Sequence, residues 1–491
     1  MNLTRKQPLF LLVSSLIING MLTNTLLAEP IYHPSGPKLT FGGMTHRQMT
    51  VSDMGNPAYA ATAPIPEGDN GLYGAGLSIG LGIEYDGNDN LFRLLEKTSE
   101  GGSTVPGGDD GGGDSGEDGG IDIPITLPPL DPELQAKLDD LIERVAFGAG
   151  VVVASITGLN AKAFVSVDAP VLISNEALGG AWTFGANVSV TTNLRGLSDP
   201  IDFDVDLAKQ ALKDAYAANA PSTLPVTYDL SGGTSVTVNP DGTTRFRFDN
   251  NSGVITKAAQ ITEISIGYSR KVWQQADNKL YVGVKPKYYD VGLSNTAVPI
   301  ANIQNARDIF KALDKSSFKY EQDFGIDIGA IWSGKQYQVG ATLTNLNEPD
   351  FQYPASDVSG FTDPGIIQLI RNRERYVMEK QMKLDGGYIT SNGAWGINLG
   401  LDVNAVPDPM GDDYQWASVG AGFASDSWWL PGARVGLRKN LAGTKLTYVT
   451  AGITVFNILN LDLAATTDTI RVNGKTIPRG LIANLGVQVL F

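Results

Sequence analysis

The chain has 491 residues, no cysteine, two histidines and a formal charge of −15. Without cysteine there is no thiol redox chemistry and no thiolate metal site, and the acidic balance repels phosphate polyanions, so no nucleic-acid partner is expected. Both histidines, His33 and His46, stand near the N-terminus, which removes a histidine-based triad from the body of the chain.

The first element reads as a secretory signal peptide over residues 1–28. MNLTRK supplies a short basic region, PLFLLVSSLIINGMLTNTLLA an apolar stretch, and Ala28 a small residue before Glu29. Asn19, Gly20 and Asn24 dilute the apolar stretch, which argues against a retained anchor. Cleavage there removes two bases, Arg5 and Lys6, and no acid, taking the charge from −15 to −17. No later stretch approaches the roughly 18 apolar residues that a spanning helix needs, so an integral membrane form would have to be a barrel.

Residues 29–70 read as a lead-in that contains MGNPAYAATAP. Beyond it, EGGSTVPGGDDGGGDSGEDGG (100–120) is an acidic, Gly/Asp-rich insertion with no base and almost no apolar residue. DPELQAKLDDLIERV (131–145) follows as a helix, with Asp131 as cap, Pro132 in the first turn and Leu134, Leu138, Leu141, Ile142 and Val145 as its stripe. Further short helices are predicted from Asp204, from Asn305 and from Asp363, as loop or plug elements.

Strands dominate the rest. In AWTFGANVSVTTNLR, Trp182, Phe184, Ala186, Val188 and Val190 alternate with Thr183, Gly185, Asn187, Ser189 and Thr191. The same alternation runs through YQVGATLTN, WGINLGLDVN, QWASVGAGF and YVTAGITVF. A soluble sandwich and a membrane barrel share this pattern, with opposite insides. The polar face decides: it is mostly Gly, Ser, Thr, Asn and Gln, which suits a crowded lumen, whereas soluble strands expose Lys and Glu. Strands of about 9–14 residues also fit a tilted crossing better than the roughly 5–6 of a soluble strand. Trp332, Tyr337, Tyr376, Tyr388, Trp395, Tyr414, Trp416, Trp428, Trp429 and Tyr448 fall near strand ends and are expected in interfacial girdles.

The fold expected is therefore all-β: a single antiparallel transmembrane β-barrel over 71–491, of about 14 strands within a range of 12–16, with an N-terminal plug segment and short loop helices. The segment 224–273 is the hardest to count. The acids Asp327, Glu379, Asp385 and Asp402 are expected to face the lumen.

The ending NLGVQVLF places Asn484, Gly486, Val489 and Phe491 in a pattern that resembles the C-terminal signal of Gram-negative outer-membrane barrels, which their assembly machinery recognises. FGGMTHRQMTVSDMGNPAYAATAP resembles the N-terminal segment of FadL-like barrels, in which an Asn-Pro-Ala stretch lies in a plug; Asn56, Pro57 and Ala58 match it. TLTNLNEPDFQYP, YVMEKQMKLDGGY, AWGINLGLDVN and WLPGARVGLRKNLAG are similar to the outer-membrane family named for the conjugal transfer protein TraF. A thioredoxin-like protein shares that name, and a cysteine-free chain is not one. The resemblance implies residence in the outer membrane and a plugged channel or transporter for small hydrophobic or amphipathic molecules. Its partners would be outer-membrane lipid, the barrel-assembly machinery and a small hydrophobic ligand. The alternative is a non-transporting barrel acting as an interaction or assembly component in conjugation or at the surface. No nucleophile with a base, phosphate loop or metal-ligand pair stands out, so no enzyme activity, catalytic residue, metal or cofactor is expected.

Overall fold

The computed structural model describes residues 36–41, 55–63, 65, 71–86, 121–126, 159–175, 179–199, 206, 210, 225–229, 234–238, 243–248, 251–299, 315–371, 374–425, 427, 429–472 and 475–490. Fourteen strands close into one antiparallel barrel in which each pairs with its neighbours in the chain. They are β1 (Gly71–Asp86), β2 (Asn160–Asn175), β3 (Gly180–Leu197), β4 (Gly253–Gln275), β5 (Asn278–Pro299), β6 (Lys319–Ser333) and β7 (Tyr337–Thr344). The second half comprises β8 (Gln381–Ile389), β9 (Trp395–Asp402), β10 (Trp416–Phe423), β11 (Gly432–Asn440), β12 (Thr447–Val455), β13 (Leu459–Thr466) and β14 (Gly480–Leu490). The ring closes between β14 and β1, with Leu490 opposite Gly74 and Asn484 opposite Gly80. The C-terminal alternation thus lies in a ladder, where an open edge in lipid would leave backbone groups unpaired.

Burial settles which face is inside. Along β9, Trp395, Ile397 and Leu399 are 57%, 54% and 59% exposed, while Asn398 is 1% exposed. In β12, Val449 and Ile453 are exposed against buried Thr450 and Thr454; in β14, Leu485, Val487 and Val489 are exposed against buried Asn484 and Gln488. Apolar outside and polar inside is the lipid-facing arrangement. Among the described residues no helix is long and apolar enough to cross a membrane.

The two ends differ. At one, short connections join the strands, the longest over 424–431, and several are tight turns: Ala276 sits at φ 51°, and Phe456 and Asn457 at 55° and 56°, a left-handed pair that follows the twist of a hairpin. At the other end the connections are longer, 441–446 excepted. Two of them share a four-stranded sheet in the spatial order Ile121–Thr126, Thr243–Phe248, Thr234–Val238, Val226–Asp229. The hard-to-count segment resolves into these three short strands plus β4, a single strand of 23 residues whose last residues, Arg270–Gln275, are all exposed. Barrel strands run from 8 to 23 residues, a wider spread than expected, because β4 and β5 extend past the apolar belt.

The helix predicted from Asp363 spans Pro364–Arg371. Asp363 Oδ1 accepts from Ile366 N at 2.8 Å as its cap, and Ile366 and Ile370 pack against Leu197 and Ile255 of the wall. Of the helix expected from Asp204, Asp206 and Gln210 are described, both helical; of that from Asn305, only Lys315 is, in a short 3-10 turn over Lys315–Ser317. Residues 1–28, 100–120, 131–145, both histidines, Trp428 and Phe491 lie outside the described residues.

Two expectations are corrected. Glu379 is exposed in the connection between β7 and β8, beyond the register that turns Asp327 and Asp402 inward. Trp332, Tyr337, Tyr388, Trp395 and Trp429 are exposed at the short-turn end, but Tyr376, Tyr414, Trp416 and Tyr448 are buried inside the long-loop end. The cause is parity: Trp416 and Tyr448 each stand one residue out of step with the outward Ala417 and Val449, so they point into the lumen.

Candidate functional site

The interior holds two N-terminal pieces and a packed mouth. The first piece is the short helix Lys38–Phe41, which rests on β10–β13. A Cβ on Gly436 would stand 2.3 Å from Thr40 O, so the wall needs glycine there to let the backbone approach. Thr40 Oγ1 donates to Asp462 Oδ1 at 2.7 Å, and the same carboxylate accepts from Arg434 Nε at 2.7 Å and from its Nη2 at 2.5 Å.

The second piece carries the predicted triplet. Asn56 and Ala58 are buried, as is Pro57. Asn56 Oδ1 accepts from Ala58 N at 2.9 Å, folding the stretch on itself. Its Nδ2 donates to Ala330 O and Ala341 O at 3.3 and 3.2 Å, across β6 and β7. Gly283 and Gly329 form the seat: a Cβ would lie 2.3 Å from Pro57 O at the first and 2.1 Å from Asn56 Oδ1 at the second. Tyr59 completes the contact, packed with Tyr281 and Ile331. The C-terminal residues stand apart from this seat: Asn484 faces inward, Gly486 pairs with Ser78, and Val489 faces outward.

Charged groups line the wall above. Lys287 Nζ lies 2.6 Å from Asp327 Oδ2 and 3.7 Å from Glu263, and Tyr289 OH donates to Asn345 Oδ1 at 2.9 Å. Nearer the mouth the interior turns aromatic, with Phe351, Tyr353 and Tyr376 entering from the β7–β8 connection to meet Tyr414, Trp416 and Tyr448. Arg438 lies over the Trp416 ring at 4.2 Å and Lys257 over the Tyr353 ring at 4.7 Å. Burial pushes the Tyr353 hydroxyl well above its ordinary value, and it donates to Pro409 O.

The sequence reading missed the groups that join this mouth together. Lys162 of β2 is 4% exposed; its Nζ donates to Asp408 Oδ2 at 2.5 Å and to Tyr414 OH at 2.9 Å. It also lies 2.6 Å from Asp412 Oδ2 in an ion pair, and Arg195 Nη2 donates to Asp412 Oδ1 at 2.7 Å. Glu84 of β1 accepts from Tyr414 OH and Tyr448 OH. Two signals were available: a lone lysine on the polar register of NAKAFVSVDA, and Asp-Pro-Met-Gly at 408–411, the signature of a tight turn. Among the described residues no group of three metal-ligating side chains comes together.

Residues 54–402 match the family described as "F plasmid transfer operon, TraF, protein". No curated protein matches the sequence. Solved structures with similarity include a Pseudomonas aeruginosa FadL homologue, 12% identical over 95% of this chain and 99% of that one, with a TM-score of 0.31. The P. putida toluene transporter TodX is 12% identical over 95% and 98%, with a TM-score of 0.26. The deltaS2 mutant of the TodX monoaromatic hydrocarbon channel is 10% identical over 94% and 98%, with a TM-score of 0.39.

Proposed function

The chain belongs to the TraF family of the F plasmid transfer operon, and from that premise we propose that it is an outer-membrane channel, closed at rest by its own N-terminal segment, for small hydrophobic or amphipathic molecules. The observation that carries this reading is the seat of Asn56–Tyr59. It is held on the wall by side-chain hydrogen bonds and close glycine contacts, outside the strand ladder. Such a segment can leave without unpairing a strand, as a removable obstruction must. The tyrosine-rich interior supports the ligand class, since each ring offers an apolar face and a polar tip. On this reading the segment 1–28 directs export, and Asn484, Gly486, Val489 and Phe491 present the last strand to the assembly machinery. This reading assigns the protein no reaction and no cofactor.

The test is conductance in planar bilayers, together with uptake of a fatty acid and a monoaromatic hydrocarbon into vesicles. Gly283→Val, which crowds Pro57 off its seat, and deletion of residues 36–63 should each raise both signals above those of the native chain. Folded variants that conduct nothing and take up nothing would sink the reading in favour of a non-transporting interaction or assembly barrel.

A further inference from the structure

The connection between β9 and β10 is built as a strap. Val406–Pro407 pairs with Asp413–Tyr414, making a short hairpin beyond the barrel ladder. Its tip is rigid. Gly411 N donates to Asp408 O at 2.9 Å, Asp408 N to Asp412 O at 2.7 Å, and Asp412 N to Asp408 Oδ1 at 2.8 Å. Gly411 has φ 88°, where a side chain would be strained. This turn aims two carboxylates the same way, and both converge on Lys162 Nζ.

The destination matters more than the turn. The hairpin is rooted in β9 and β10, yet Lys162 belongs to β2 and Arg195 to β3, halfway round the ring of strands. The hairpin therefore crosses the lumen. From the β7–β8 connection, Tyr353 donates to Pro409 O, and Met410 is buried in the same core.

We propose that the 406–414 hairpin is an ionically latched lid over the long-loop mouth, with Lys162 as the catch and Asp408 and Asp412 as the tongue. The channel reading gives the lid its purpose, but the latch is testable separately. A lysine whose partners, Asp408, Asp412 and Tyr414, all lie on a hairpin from the opposite wall adds nothing to the ladder of its own strand. Its contacts bear on where that loop sits. Two further ties span the same gap, Arg195 donating to Asp412 and Tyr414 of the hairpin donating to Glu84 of β1, with the Lys162 ammonium at their centre.

The chain has no native cysteine, so introduced ones are the only labels. Spin labels on Ala161→Cys, beside the catch, and Asp413→Cys, on the hairpin, report the distance across the mouth in the full-length protein reconstituted in phospholipid vesicles. The parent pair should give one short, narrow distance. Lys162→Met should lengthen and broaden it, and Lys162→Arg should restore most of the short population. Should Lys162→Met fail to fold, Asp408→Asn with Asp412→Asn makes the same test from the hairpin side. An unchanged distance in a folded Lys162→Met protein overturns the latch. A longer distance supports it, and conductance of the same variant then bears on the other claim: a rise supports the channel as well, while no rise there or in the 36–63 deletion overturns the channel and leaves the latch standing.

Discussion

At the short-turn end of the barrel the rings of Trp332, Tyr337, Tyr388 and Trp395 face outward, and the turns are tight. At the long-loop end Tyr376, Tyr414, Trp416 and Tyr448 face inward, among buried ions. The same residue types meet different boundary problems. At the short-turn end a ring shields the rim of the apolar belt and keeps its polar atom hydrated. At the other the mouth must be filled, and tyrosine fills volume while supplying hydroxyls to Glu84 and Lys162. Aromatic content alone does not mark a membrane girdle; direction does.

The comparison can be broken most forcefully on the outward face between the ends. Leu399→Arg places a cation on the exposed side of β9 and should cost about 2–4 kcal/mol if that side meets lipid near mid-depth. Folding equilibrium into vesicles reads it, and a cost near zero would show that water reaches that face.

Acid should act on the long-loop end and spare the other. Burial raises the Asp408 carboxyl above its ordinary range; burial acts likewise on Asp412, but Lys162 and Arg195 outweigh it and hold that carboxyl low. A depressed carboxylate contributes fully above the ordinary aspartate value of 3.8 and loses its contribution as pH falls through the depressed value. The raised Asp408 has the opposite sign, so it takes up its proton first without releasing the turn. The hairpin should thus stay seated through mildly acid conditions and lift only below the ordinary aspartate range. The label distance between positions 161 and 413 follows this, and Asp412→Asn should remove the low-pH step.

The smallest effect belongs to the short-turn rim. Trp395 meets Phe423 with ring centroids 5.1 Å apart, so Trp395→Ala should cost about 0.5–1.5 kcal/mol beyond lost area. A double-mutant cycle with Phe423→Ala measures it, and the hairpin distance should not move.

Much of this molecule is legible in the chain. The barrel is, because a two-residue period with small polar residues on one face has few other uses. The parity that turns Trp416 inward was legible too: in QWASVGAGF, the assignment of Ala417 and Val419 to the outer face already sends Trp416 to the inner one. Asn56 stands out as a turn former, but its seat does not, since Gly283 and Gly329 come from strands far along the sequence. The latch was least visible. Lys162 and Asp408 are linked only by barrel closure, and no local pattern encodes which strands end up facing each other across a lumen.

Closing the ring through β1 and β14 also explains why one end can carry so much extra chain. Once the ladder is complete, lengthening a connection adds only loop entropy, which grows with the logarithm of length. Each doubling costs roughly 0.6 kcal/mol, no more than a typical hydrogen bond contributes. Insertions at the long-loop end are therefore nearly free to accumulate. A tight turn such as Phe456–Asn457 sets the register of the strands on either side, so there even one added residue would shift which faces meet lipid. The two kinds of connection obey different rules: a long loop tolerates insertion, whereas a tight hairpin turn tolerates only substitution.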